Sequence, residues 1–301
     1  MFEEANVRRV AVALQTNERY IEKDWHLIRA LAVITSIRID GVTAVFSGGT
    51  SLATAWQLIH RFSEDIDFKV ILGATGKKME TARRAFREAV VENLRAAGFA
   101  LDGEPLVASE STFFRARFHY GPKFPEAAGI RPTLQVEISF TGTNLAPQNR
   151  AAQSLLSRLL KGAPEVSSLL CVDVVETAAD KISALAWRTA ARDRTSEKDD
   201  PAVVRHLHDL AALASSVSGN RTFKDLATKL LDEDAGRTRL PGATGQSIVE
   251  AMLPAITEDP LWRKEYENFV SAVSFGKDAE RISFDQAVAA CEKLVVEIRT
   301  P

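Results

Sequence analysis

The chain has 301 residues and carries 38 Lys and Arg against 40 Asp and Glu, a formal net charge of −2. That balance gives no global basic surface, so any nucleic-acid binding must come from a local patch. With 46% hydrophobic and 26% charged residues it has the make-up of a soluble globular protein, long enough for one large or two ordinary domains.

No stretch approaches the ~20 uninterrupted apolar residues that span a bilayer, and the first residues lack a signal-peptide layout. No membrane partner and a cytoplasmic location are expected. Cys171 and Cys291 stand far apart and have no zinc-ligand spacing, which makes them ordinary packed thiols.

Residues 5–37 read as mostly helical with a break near Thr16 and Asn17; Ile21, Trp25, Ile28 and Leu31 mark one face of the second run. Val42-Thr-Ala-Val-Phe46 is a β-branched and apolar run that stops at Gly48 and Gly49, after which Leu52, Ala55, Trp56 and Ile59 recur at helical spacing. The expectation is a strand, a tight loop and a helix over 50–61. Such a loop offers unpaired N–H groups at a helix start, with the Thr50 and Ser51 hydroxyls beside them, and suits a phosphate.

The period then changes to two. Asp65, Asp67 and Lys69 share one face of a strand over 65–71, while Ile66, Phe68 and Val70 share the other. Carboxylates two residues apart on a strand are roughly 7 Å apart and repel by about 2 kcal/mol at an effective dielectric near 20. A cation beside the phosphate loop offsets that repulsion, and oxygen ligands with a phosphate point to Mg²⁺ held by Asp65 and Asp67.

Gly48-Gly-Thr-Ser-Leu52, a helix and Arg61-Phe-Ser-Glu-Asp-Ile-Asp67 resemble the first motif of the polymerase-β-like nucleotidyltransferases. More narrowly they resemble the AbiEii/AbiGii toxin family of type IV toxin–antitoxin systems, which includes the mycobacterial MenT-type toxins. The resemblance implies an α+β fold, a mixed-sheet nucleotidyltransferase domain followed by a helical domain, with an NTP as substrate and Mg²⁺ as cofactor. It also implies transfer of NMP to the 3′ end of tRNA, inhibition of translation, and a cognate antitoxin as partner. Transfer to a small molecule or a protein, and a silent nucleotide-binding module acting through a partner, are the alternatives.

Downstream, a helix over about 77–97 buries Phe86, Val90 and Leu94, and Gly98 ends it. Residues 112–120 alternate as a strand with Arg115, Arg117 and His119 on one face, a row suited to a triphosphate or an RNA backbone or simply to a solvated face. Residues 121–131 form a loop, and Thr133–Phe140 is a strand with Gln135, Glu137 and Ser139 outward. By the resemblance Glu137 becomes the third carboxylate, holding metal or deprotonating the attacking hydroxyl.

From about residue 149 helical patterns dominate, placing the boundary between a 1–148 nucleotidyltransferase domain and a 149–301 helical domain. On the helix from Val174, Lys181 and Arg188 lie seven apart on nearly one face, two cations able to grip a polyphosphate. Ala179-Asp-Lys-Ile-Ser-Ala-Leu185 resembles the family's third motif, which implies that Lys181 contacts the nucleotide phosphates.

A charged connector over 193–201 reads as flexible. Arg205 and Asp209 share a face of the next helix. Their Arg-x-x-x-Asp-Leu pattern resembles the fourth motif and marks Asp209 as catalytic, with His206 standing where the family has an Asp. Ser63, two residues before Asp65, is a candidate regulatory phosphorylation site, because nearly two added negative charges there would block metal–nucleotide binding.

Overall fold

The structure is a computed structural model describing residues 2–300 except 74, 128, 129, 198, 239 and 277–280. The chain divides into two compact units, Met1–Val172 with Phe275–Asp278, and Asp173–Ser274 with Ala279–Pro301.

The first unit is built on a mixed eight-stranded sheet. Helices α1 (Glu4–Ala13) and α2 (Glu18–Ser36) precede β1 (Val42–Ser47), α3 (Gly48–Thr54) and β2 (Asp65–Leu72). Helix α4 (Gly76–Ala96), short β3 (Ala100–Leu101) and β4 (Leu106–Ala108), and longer β5 (Phe113–His119) and β6 (Thr133–Ser139) follow. Strand β7 (Gln148–Ala152), α5 (Leu155–Leu159) and β8 (Val166–Cys171) complete it. The strand order is β3-β5-β6-β2-β1-β8-β7, with β4 also on β5. Pairs β2/β6 and β1/β8 are parallel and the others antiparallel.

Alternation decides which sheet face is dry. Ile66, Phe68 and Val70 of β2 and Leu134, Val136 and Ile138 of β6 are buried with Leu27 and Leu31 of α2 and Phe86, Val90 and Leu94 of α4. Each such side chain contributes about 1.5–3 kcal/mol on burial. The intervening residues, Asp65, Asp67 and Glu137 among them, are therefore forced onto the opposite face. A second cluster joins Val7, Val10 and Ile21 to Phe124, Leu155, Leu156 and Phe275.

Three expectations are corrected. The helix after the glycine pair stops at Thr54 instead of running to 61: Gln57 takes φ 55°, and Trp56 N and Leu58 N turn back to Ser51 O and Leu52 O at 3.0 and 2.9 Å. The compact units part at Val172/Asp173, not near residue 148, because β7 and β8 extend the sheet. The connector over 193–201 is tied down: Arg192 bridges Asp199 (2.9 Å) and Glu265 (2.8 Å), and Arg194 pairs with Glu265 and Asp259. Lys198 lies outside the described residues.

The second unit is helical: α6 (Val174–Ala190), α7 (Val204–Val217), α8 (Arg221–Ala235), α9 (Gly245–Glu258), α10 (Pro260–Val273) and α11 (Phe284–Arg299). Ile182, Leu185, Leu207, Leu210, Phe223 and Leu294 are fully buried in it, and Trp262 and Tyr266 are buried there too. Among the described residues no helix is long and apolar enough to cross a membrane.

Candidate active site

The β1 strand ends at Ser47, whose register partner on β2 is Asp67, so the glycine pair emerges beside the second carboxylate. Gly48 takes φ +72°, and a Cβ there would stand 2.1 Å from Asp67 Oδ2. Only a glycine admits both the left-handed backbone and the carboxylate. A Cβ on Gly49 would lie 2.8 Å from both Arg61 Nη2 and Ser63 Oγ. The second half of the motif thus folds back onto the first.

The Thr50 and Ser51 hydroxyls face inward. Thr50 Oγ1 donates to Asp65 O and Ser51 Oγ to Gly48 O (3.0 Å), and both residues are fully buried. Their side chains shape the loop, leaving its backbone to meet a ligand. With seven residues, α3 also gathers less dipole than a longer helix does.

Across the parallel β2/β6 pair, Asp65 registers with Gln135 and Asp67 with Glu137, which brings all three acids to one strip of the polar face. Glu137 Oε1 accepts from Arg115 Nε and Gln135 Nε2, each at 2.8 Å. The cationic row of β5 is partnered in turn: Arg115 with Glu137, Arg117 with Gln135 Oε1 (3.3 Å) and His119 with Asp102 (3.3 Å).

Sequence reasoning missed the groups around Asp65. Arg131 donates from Nη2 to Asp65 Oδ1 at 2.5 Å and from Nε to Glu64 Oε1 at 2.9 Å. Glu64 Oε2 takes the Arg131 backbone N–H (3.0 Å) and Lys23 Nζ (2.5 Å), while Lys23 also donates to Arg131 O (2.9 Å). Burial pushes the Glu64 carboxyl up, but Lys23 and Arg131 outweigh it and hold Glu64 below the ordinary carboxylate range. The sole sequence signal was the charge of Glu22-Lys-Asp on α2 and of Glu64 before the strand.

In the second unit, Lys181 Nζ meets Asp209 Oδ2 at 2.6 Å with Asp209 fully buried, and His208 Nδ1 lies 3.3 Å from Asp209 Oδ1. The structure therefore joins Lys181 to Asp209. Arg188 pairs with Asp200 (3.4 Å), and Arg205 also goes to Asp200 (3.3 Å) instead of to Asp209. Both ring nitrogens of His206 are buried without a hydrogen-bond partner among the described residues. Burial, with Lys181 and Arg205 adding, pushes that imidazole well below its ordinary range.

Among the described residues no three His, Cys, Asp or Glu side chains gather closely enough to hold a metal ion unaided. Glu137 is turned to Arg115 and Gln135, so the three-acid set is not a preformed cage. The donors still fit Mg²⁺, a hard cation that needs only one or two carboxylates when a substrate phosphate completes its shell. Asp65 and Asp67, on one strand face near Gly48, are the two carboxylates that would supply it.

A carboxylate pair on a strand, packed against a glycine loop on a mixed sheet, belongs to the nucleotidyltransferase class. The sequence agrees, because residues 29–290 match the family described as nucleotidyl transferase AbiEii toxin, type IV TA system. The chain belongs to that AbiEii family of nucleotidyltransferase toxins. Among solved structures it is similar to MenT4, a nucleotidyltransferase toxin from Mycobacterium tuberculosis H37Rv, at 18% identity and a TM-score of 0.53, covering 100% of both chains. At that identity the likeness speaks for the fold. Comparison with curated protein sequences finds no match.

Proposed function

We propose that this chain transfers NMP from an NTP to a hydroxyl at the 3′ end of tRNA, and that a cognate antitoxin opposes it. The carrying observation is that Asp67, in register with Glu137, lies so close to Gly48 that a Cβ there would stand 2.1 Å from its Oδ2. It supports acids and a glycine loop acting at one place.

Asp65 and Asp67 would hold Mg²⁺, which when bound supplies charge neutralisation for a triphosphate. The Gly48–Ser51 backbone would receive the outer phosphates. Glu137, with one oxygen engaged by Arg115 and Gln135, would use the other to position the attacking hydroxyl or take its proton. That hydroxyl oxygen bonds to the α-phosphorus, the bond to the bridging oxygen breaks, and pyrophosphate leaves. By the family resemblance Lys181, paired with Asp209, and Arg188 would neutralise phosphate charge. Phosphorylation of Ser63, which sits against Gly49, would load negative charge beside the carboxylates and silence transfer.

Each labelled NTP, incubated with the protein, Mg²⁺ and total RNA, tests the reading. Label at the 3′ end of tRNA is expected. Label in a small molecule or a protein overturns the acceptor, and no transfer with any NTP overturns the activity. A Ser63→Ala enzyme that the antitoxin still silences removes the phosphorylation step.

A further inference from the structure

Of the two carboxylates on the strand face that carries Asp65 and Asp67, Asp65 is engaged by a cation from within the chain. Arg131 reaches Asp65 with a single nitrogen, Nη2 at 2.5 Å. Everything else that holds Arg131 is independent of Asp65. Its Nε and backbone N–H both go to Glu64, at 2.9 and 3.0 Å, and its carbonyl accepts from Lys23 Nζ at 2.9 Å. Lys23, only 2% exposed, also fixes Glu64 at 2.5 Å. The guanidinium is thus tethered on one side and free to give up one bond on the other.

We infer that Arg131 is the built-in counter-ion of Asp65, occupying the carboxylate until a divalent cation displaces it and thereafter resting on Glu64 alone. This rests on the reading that Asp65 and Asp67 take a divalent cation. The physical reason is charge balance. Lys23, Glu64, Arg131 and Asp65 alternate in sign and sum to zero, so the folded chain does not carry an unrelieved carboxylate pair in the absence of metal. A planar, always-charged fork suits this better than an ammonium, since it can span two carboxylates at once. The consequence is competition: the entering ion must exchange with a resident cation, which weakens binding and makes it depend on Arg131.

Binding of Mn²⁺ to the full chain, read without nucleotide from the loss of the free-ion electron paramagnetic resonance signal, tests this. Arg131→Gln removes the competitor and is expected to bind Mn²⁺ about threefold to tenfold tighter than wild type. Arg131→Lys keeps the charge but cannot span both carboxylates, and should bind Mn²⁺ with an affinity between those of wild type and Arg131→Gln. Wild type and Arg131→Gln binding equally, or the variant more weakly, overturns the inference and leaves the metal reading standing. No Mn²⁺ binding by either protein overturns the metal reading and the inference with it. If Arg131→Gln does not fold, Glu64→Gln serves instead: it leaves Asp65 as the sole carboxylate for Arg131 and should bind Mn²⁺ several-fold more weakly. Equal or tighter binding by that variant contradicts the proposal.

Discussion

At Gly48 the backbone and the site meet in one atom. A methyl group there would be 2.1 Å from Asp67 Oδ2 on a backbone at φ +72°. Gly48→Ala is therefore expected to cost about 1–3 kcal/mol of stability and, by moving Asp67, about a hundredfold in turnover. At Gly49 the obstacles are the ends of Arg61 and Ser63, which can shift, so Gly49→Ala should cost less, about 1 kcal/mol. Thermal unfolding and NMP-transfer rates of the two variants check the order.

The same scale governs the buried Lys181–Asp209 pair. Either Lys181→Met or Asp209→Leu alone should cost about 3–5 kcal/mol by taking the ion-pair partner from a buried charge, and the double variant distinctly less than their sum. A denaturant-unfolding cycle over the four proteins measures this, and additive losses would contradict it. The pairing was half legible. Lys181 and Asp209 were each singled out, but nothing in helical spacing tells a reader that residues 28 apart touch.

Among the elements, α2 holds two oppositely perturbed groups. Burial pushes the Asp24 carboxyl up to about 7, against the Leu155 N–H and Arg158. Burial, with Arg29 and Arg19 adding, pushes the His26 imidazole down to about 4. Between about pH 4 and 7 native Asp24 keeps a proton that the unfolded chain has released, so its contribution is full at low pH and lost as pH rises toward 7. Native His26 refuses a proton that the unfolded chain takes up below about 6.5, so its contribution is full at high pH and lost as pH falls toward 4. The slopes oppose. Asp24→Asn, which can still accept from Leu155, should rise in stability with pH across this window more steeply than wild type. Denaturant midpoints measured from pH 4 to 7 decide it, and parallel profiles would contradict the assignment.

Elements with strong periodicity were legible in the sequence: α4, β2, β5 and β6 fall within a residue or two of their expected bounds. Those without it were not. Strand β7, Gln148–Ala152, is mostly polar and exposed, and β3 and β4 span two and three residues, so tertiary pairing alone makes them strands. The α3 helix was overextended because Ile59 is buried at helical spacing by an irregular segment, and burial without regular backbone leaves the same pattern.

For the whole molecule, the sequence boundary at 148 failed because β7 and β8 complete the sheet from beyond it. The first unit also takes in a late piece of chain. Phe275 packs on Phe62 at 4.9 Å between ring centroids, its N–H bonds to His60 O at 3.2 Å, and Gly276 N–H reaches Leu14 O at 3.0 Å. Phe275→Ala should therefore destabilise the first unit by about 3 kcal/mol, seen as an earlier unfolding transition. An unchanged transition would contradict that packing. The network from Lys23 to Asp65 escaped the sequence for a related reason: its bonds join residues 41 to 108 apart, which meet only once the sheet has formed.

The most direct test of the central claim is NMP transfer from a labelled NTP to total RNA by wild type, Asp65→Asn and Asp67→Asn. Wild type should label RNA, and each variant should fall by about a hundredfold to a thousandfold while remaining folded. Either variant turning over as fast as wild type would contradict the assignment of the Asp65–Asp67 face as the seat of the reaction.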